Sequence, residues 1–95
     1  MNEWNFEREF WWDPNFQAVK FAGIWDGQRY VFAISRSALN DYFRTEDSRE
    51  AAIINFEEHR DRVEQLATRL IALGVGPSEH GHYFISTEVC EKLSL

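Results

Sequence analysis

The stretch that decides the fold runs from Phe16 to Ser35, FQAVKFAGIWDGQRYVFAIS. At its centre Asp26-Gly27 forms a pair that tolerates positive φ at both positions, as the tight turns matching the twist of a β-hairpin require. With that pair as the loop, Trp25 faces Gln28, Gly23 faces Tyr30, Phe21 faces Phe32 and Val19 faces Ile34. Side chains alternate along a strand. This register therefore gathers Val19, Phe21, Trp25, Tyr30, Phe32 and Ile34 on one face, the predicted core face. The other holds Ala18, Lys20, Ala22, Ile24, Arg29, Val31 and Ala33. A slip of one residue would turn the aromatics into water, so the hairpin (residues 17–35) is specified in register as well as in existence.

Upstream, Trp4, Phe6, Phe10 and Trp12 fall on even positions with mostly polar residues between them. That period of two predicts an N-terminal strand with one buried face. Asp13-Pro14-Asn15 ends it, because proline fixes its own φ and turns Asp13 away from helix. Downstream, Ser35 is placed to accept from the first free amides of a short helix over 36–43, with Leu39, Tyr42 and Phe43 at helical spacing. A polar break follows. Asp47 and Glu50 read as a capping-box variant opening a long helix over 48–73, and Gly74-Val75-Gly76-Pro77 closes it. HYFIST predicts a last strand over 82–87, and the tail beyond it a final helical turn or a frayed end. The class expected is α+β, one domain over 1–95, with a small and mainly antiparallel sheet packed on helices.

The bulk composition narrows the functions open to such a domain. At 95 residues there is room for one core and little for elaborate loops. The formal charge of −6 opposes phosphate backbones. Only residues 14–45 are basic, with four bases against two acids. Nucleic acid is thus a disfavoured partner. A single cysteine, Cys90, excludes an intrachain disulfide and a paired-cysteine metal site. The beginning lacks a basic region followed by an apolar run, and no stretch approaches membrane-spanning length. A cytoplasmic location without membrane attachment is expected, with no cofactor and no native metal.

In their order and spacing, several short motifs resemble a family of short bacterial proteins, the domain of unknown function 1488. They are Phe6, Trp12-Asp13, Ala18 to Phe21, Gly27, Ala33-Ile34-Ser35, Phe56, Arg60, Val63-Glu64, Ala67, Leu70-Ile71 and Gly81-His82. The likeness spans residues 6–87. It implies a compact α+β domain and no particular reaction, although some members carry a transcription-regulator label. Trp4, Trp11 and the residues after Thr87 lie outside the shared pattern.

Candidate site residues come from the run Phe56-Glu57-Glu58-His59-Arg60-Asp61-Arg62. On a helical wheel of about 100° per residue centred on Phe56, Val63 and Ala67 lie within about 20°. Arg60 falls about 40° off centre, inside the apolar arc, and His59 about 60° to the opposite side. Arg60 has Glu57 and Glu64 at i−3 and i+4. A guanidinium there is suited to brace a carboxylate at the rim or reach a carbonyl of the sheet. The lesser alternative is that it holds a small anionic ligand, with Glu57, Glu64 and His59 around it. His59 lacks a nearby nucleophile in sequence, and no catalytic residue is assigned. His80-Gly81-His82 offers two imidazoles, short of a metal site on its own. Trp4 and Trp11 are interface candidates, because tryptophan is enriched where proteins meet. The function these features favour is a non-enzymatic module that forms homo-oligomers, its protein partner otherwise unknown. A regulator binding nucleic acid through Arg29, Arg36 and Arg44, or an anion pocket at Arg60, are the alternatives.

Overall fold

A computed structural model describes residues 3–93. Its elements, in chain order, are β1 (Asn5–Asp13), β2 (Ala18–Trp25), β3 (Gln28–Ser35), α1 (Arg36–Tyr42), α2 (Arg49–Glu58), α3 (Arg60–Ala72), β4 (Tyr83–Ile85) and α4 (Thr87–Leu93). The four strands form one sheet in the order β1-β2-β3-β4. The first two pairings are antiparallel and β3 with β4 is parallel. The class is α+β.

The hairpin has the predicted register throughout, from Ala18 opposite Ser35 to Trp25 opposite Gln28. Asp26 and Gly27 take φ of 53° and 78°, the left-handed values its turn requires. β1 joins with Phe6 opposite Gly23, Phe10 opposite Phe21 and Trp12 opposite Val19, so its even residues face inward as the period of two predicts. Between Phe6 and Phe10 the register shifts, because four steps along β1 match two along β2. This bulge pushes the backbone of Glu7, Arg8 and Glu9 out of regular pairing. Gly23 lies where the Phe6 ring crosses the sheet and leaves no room for a Cβ.

All helices pack on one face of the sheet. Val19, Phe21, Phe32, Ile34 and Ile85 meet Ala38, Leu39, Ala52, Phe56, Val63, Leu66, Ala67, Leu70, Cys90 and Leu93 there. Phe21, Phe32 and Phe56 are fully buried, and the Phe21 ring centroid lies 5.2 Å from each of the other two. Burying a side chain of this size contributes about 1.5–3 kcal/mol, so this trio anchors helix to sheet.

Three expectations need correction in detail. First, the helix foreseen over 48–73 is two helices, broken at His59, which takes φ −117° and ψ 29°. Residues 57–62 supply no apolar side chain, so the stripe loses nothing when the chain turns there. The Arg60 contacts described below hold the turned position. Second, the cap of α2 is Ser48, whose hydroxyl accepts from Ala51 N at 3.0 Å. Asp47 instead receives Arg36 Nε at 3.0 Å and Asn40 Nδ2 at 3.3 Å. Third, the last strand is shorter than 82–87. It ends at Ile85 because Ser86 opens α4, its hydroxyl accepting from Val89 N at 3.3 Å. The tail is thereby helical to Leu93, and Cys90 and Leu93 enter the core. No helix among the described residues is long and apolar enough to cross a membrane.

Candidate functional site

Arg60 opens α3 directly after the break and reaches back to the β1 bulge. Nη1 donates to the Arg8 carbonyl at 2.7 Å, Nη2 to the Glu7 carbonyl, and Nε to Glu64 at 2.9 Å. The guanidinium also lies over the rings of Phe56 and Phe10, at 5.2 and 5.9 Å. All three of its nitrogens therefore have partners within the chain. A bulge leaves backbone groups without ladder partners, and a planar fork satisfies two neighbouring carbonyls at once.

The other residues of the opening run do not converge on it. Glu57 is exposed and Glu64 alone braces the guanidinium. His59 stacks flat on Phe43, with centroids 4.0 Å apart and planes 9° apart. Trp4 packs on the helix side, stacked on Phe6 and Trp25 at 5.3 and 5.8 Å. Beside Trp25, Thr68, Arg69, Ile71 and Ala72 it borders a shallow groove. Trp11 points the other way and is 42% exposed. The two tryptophans thus stand on opposite sides of the sheet.

Among the described residues no helix lies on that second side. Across it run Trp11, Lys20, Ala33 and Phe84, one from each strand. Ile24 and Val31 extend the same face. Trp11, Ile24 and Phe84 are exposed large apolar side chains, at 36–42%, less open than Ile54, Val75 and Leu73 elsewhere. The charges here are paired within the chain. Arg29 Nε meets Glu7 at 2.6 Å and Lys20 Nζ meets Asp13 at 3.0 Å. The Arg29 guanidinium and the Lys20 ammonium hold these two carboxyls below the usual carboxylate range.

One end of this face is partly closed. Gln17 takes φ 50°, and the turn before it brings Phe16 against His80 and His82, each with ring centroids 4.8 Å away. Lys20 Nζ sits 5.4 Å from the Phe16 ring centre. His82 is 2% exposed, and its Nδ1 is buried without a hydrogen-bond partner. Ala18, Ala22 and Ala33 are fully buried although no helix lies above them. Among the described residues no three His, Cys, Asp or Glu side chains are grouped to hold a metal ion.

Sequence reasoning missed two features. One is the buried link between α1 and α2. Asn55 Nδ2 donates to Asn40 Oδ1 at 3.1 Å and Thr45 Oγ1 at 2.7 Å, and Asn40 Nδ2 donates to the Ser48 carbonyl at 3.0 Å. The only sequence signal was Asn55 beside Phe56 in an otherwise apolar stretch. The other is His82, which no local pattern marks as buried. Cys90 is also buried, and burial together with nearby Glu91 pushes its thiol up to about 11.

The fold and this surface define a class, a small two-layer α+β domain with one sheet face covered by helices and the other open. The chain belongs to the DUF1488 family, described as a protein of unknown function, whose model matches residues 5–85. The whole of α4 therefore lies beyond the matched region, though its Cys90 and Leu93 complete the core. A solved structure of a DUF1488 protein of unknown function from Shewanella loihica PV-4 has a similar fold, with a TM-score of 0.73 and 23% identity. The alignment covers 86% of this chain and 90% of that one. No curated protein matches the chain.

Proposed function

We propose that this domain is a non-enzymatic interaction module that pairs with a second copy of itself through the open face of its sheet, in a bacterial cytoplasm. The observation that carries the reading is the exposure of Trp11, Ile24 and Phe84 together on the one face that no helix covers. Trp11 and Phe84 stand on the two edge strands with Lys20 and Ala33 between them, and large apolar groups spread over an open face favour a protein partner.

Two points favour a second copy. The ion pairs Arg29–Glu7 and Lys20–Asp13 make the formal charges of those four residues cancel, so like faces meet without strong repulsion despite the chain's net −6. Size agrees as well. Strands of nine, eight, eight and three residues, about 4.8 Å apart and rising about 3.3 Å per residue, present roughly 440 Å². Two copies would bury about 900 Å², the size of a weak, transient interface, so pairing is reversible and concentration-dependent. The sheet edges suit pairing less. β1 is bulged and carries Glu7, Arg8 and Glu9, while β4 has three residues.

The alternative sites have partners of their own. Arg29 and Arg36 meet Glu7 and Asp47, and Arg60 meets Glu64 and two carbonyls. His59 is stacked and Cys90 is held as a thiol, which suits packing rather than chemistry. Its lone cysteine fits a reducing compartment, and the Shewanella relative fits a bacterial one.

Light scattering after size exclusion, over a wide concentration range, tests the pairing. The mass should rise from 11.3 kDa toward twice that value. A Trp11→Lys/Ile24→Lys variant should stay monomeric with an unchanged melting temperature. A wild-type chain that remains monomeric throughout would remove the proposal.

A further inference from the structure

The open face carries one group that is both titratable and shut away from water. His82 sits between Phe16, at 4.8 Å and 89°, and Phe84, at 5.9 Å and 38°. Its Nδ1 has no acceptor and no donor within reach. A neutral imidazole leaves that nitrogen merely unpartnered. An imidazolium must place an N–H there, carrying part of a positive charge, with nothing to receive it.

The groups around it do not relieve this. From β2 comes the Lys20 ammonium, and from the 78–82 loop the second imidazole, His80, with ring centroids 6.1 Å away. The single nearby carboxylate that favours the charged form is Asp13 of β1, and it already holds Lys20 at 3.0 Å and accepts from Asn15 N at 2.9 Å. Glu79 turns to His80, 3.6 Å away. Burial, Lys20 and His80 together outweigh Asp13 and hold His82 below the ordinary histidine value of 6.5.

We propose that His82 is a proton-operated latch on the open sheet face, whose protonation frees the Phe16 turn and the 78–82 loop and so loosens pairing with the second copy. The effect on pairing rests on the pairing proposed above; the latch itself does not. The proton enters from solvent onto imidazole nitrogen, and no other bond changes. Once charged, His82 gains solvation only by leaving the contact between Phe16 and Phe84. In a pair of like faces each copy brings the same new cation, so the two oppose each other.

The sign follows from the direction of the shift. A histidine with a lowered folded pKa contributes stability above its unfolded value near 6.5, and this is lost progressively as pH falls below that point. The latch is therefore closed at neutral pH and opens in mild acid.

The test is a proton NMR titration from about pH 8 to pH 5 on a dilute, monomeric sample, with light scattering on a concentrated one. The expected result is a histidine transition with its midpoint below 6.5, accompanied at the same midpoint by shifts of amides 14–17 and 78–84 while α2 and α3 stay still. In the concentrated sample, the dimer fraction should fall as pH drops through the same midpoint and be lost below it. His82→Phe keeps the packing without the proton and should abolish both effects. His80→Gln, which removes the neighbouring imidazole, should move the midpoint up and keep the transition. A loop transition that survives unchanged in His82→Phe overturns the latch, as does a His82 midpoint at or above 6.5. A chain that stays monomeric at every concentration but shows the NMR transition retains the latch and loses only the pairing. Pairing that ignores pH while His82 titrates shows that the face pairs without the latch, and overturns it.

Discussion

Arg60 and Arg8 are 52 positions apart in the chain, yet the guanidinium of one donates to the backbone carbonyl of the other at 2.7 Å. With the Glu7 carbonyl and Glu64, this contact joins the start of α3 to the bulge of β1. It sits where a strand has lost regular pairing and a helix has lost its apolar stripe.

Removing the fork should leave the Glu7 carbonyl poorly satisfied in a half-buried place, while the exposed Arg8 carbonyl turns to water. Each unsatisfied buried polar group costs about 1–3 kcal/mol. Arg60→Ala should therefore destabilise by about 2–4 kcal/mol, summing that cost with lost packing. Arg60→Met keeps the stem over Phe10 and Phe56 and should recover part of it. Urea denaturation of the two variants checks this, and equal losses would show that stem packing contributes nothing.

Asn55 bridges Asn40 and Thr45 inside the α1–α2 corner. Asn55→Ala leaves Asn40 Oδ1 with only Thr45 as donor and should cost about 1–3 kcal/mol. Asn55→Leu should not restore the loss, since its apolar end would face the same oxygens. Thermal melting compares them.

A Cβ on Gly23 would stand 2.7 Å from Phe6 Cδ1 and 3.1 Å from Trp4 Cε3. Gly23→Ala must displace the Phe6 ring, an overpacking that costs about 1–3 kcal/mol. The near-ultraviolet circular dichroism of the tryptophan cluster should change while the far-ultraviolet spectrum holds.

Acid should act in two separate windows. His82, lowered by burial, begins to weaken the fold as pH drops below 6.5. The carboxylates act later. Glu7 and Asp13 are lowered by Arg29 and Lys20 from 4.5 and 3.8, so their contribution is present above those values and lost only below them. Melting temperature against pH should fall in two steps, and His82→Phe should remove the first alone.

Cys90 should resist thiol reagents at neutral pH, because it is buried and its thiol is pushed up to about 11. Labelling with a disulfide reagent should become fast only in denaturant. Rapid labelling of the native chain would mean that α4 opens readily from the core.

Local chemistry accounts for what could be read along the chain. Asp26-Gly27 can form only a few turns, and the alternation of Val19, Phe21, Phe32 and Ile34 then allows one register, so the hairpin and its buried face were legible. The same logic placed Phe56, Val63 and Ala67 toward the core and Arg60 at the edge of their arc. It overran at His59, where the spacing permits one continuous helix and only contacts with β1 and Phe43 favour a break.

The sequence by itself determined the α+β class, the hairpin with its register, the inward residues of both helices and the family. The tertiary structure alone decided the two-residue bulge, the parallel docking of β4, the partners of Arg60, the Asn40–Asn55 link and the burial of His82. The physical reason is range. Propensity, turn geometry and hydrophobic period act over a few neighbouring residues. Which carbonyl a guanidinium reaches, or whether an imidazole keeps its water, depends on groups brought together only when distant segments pack.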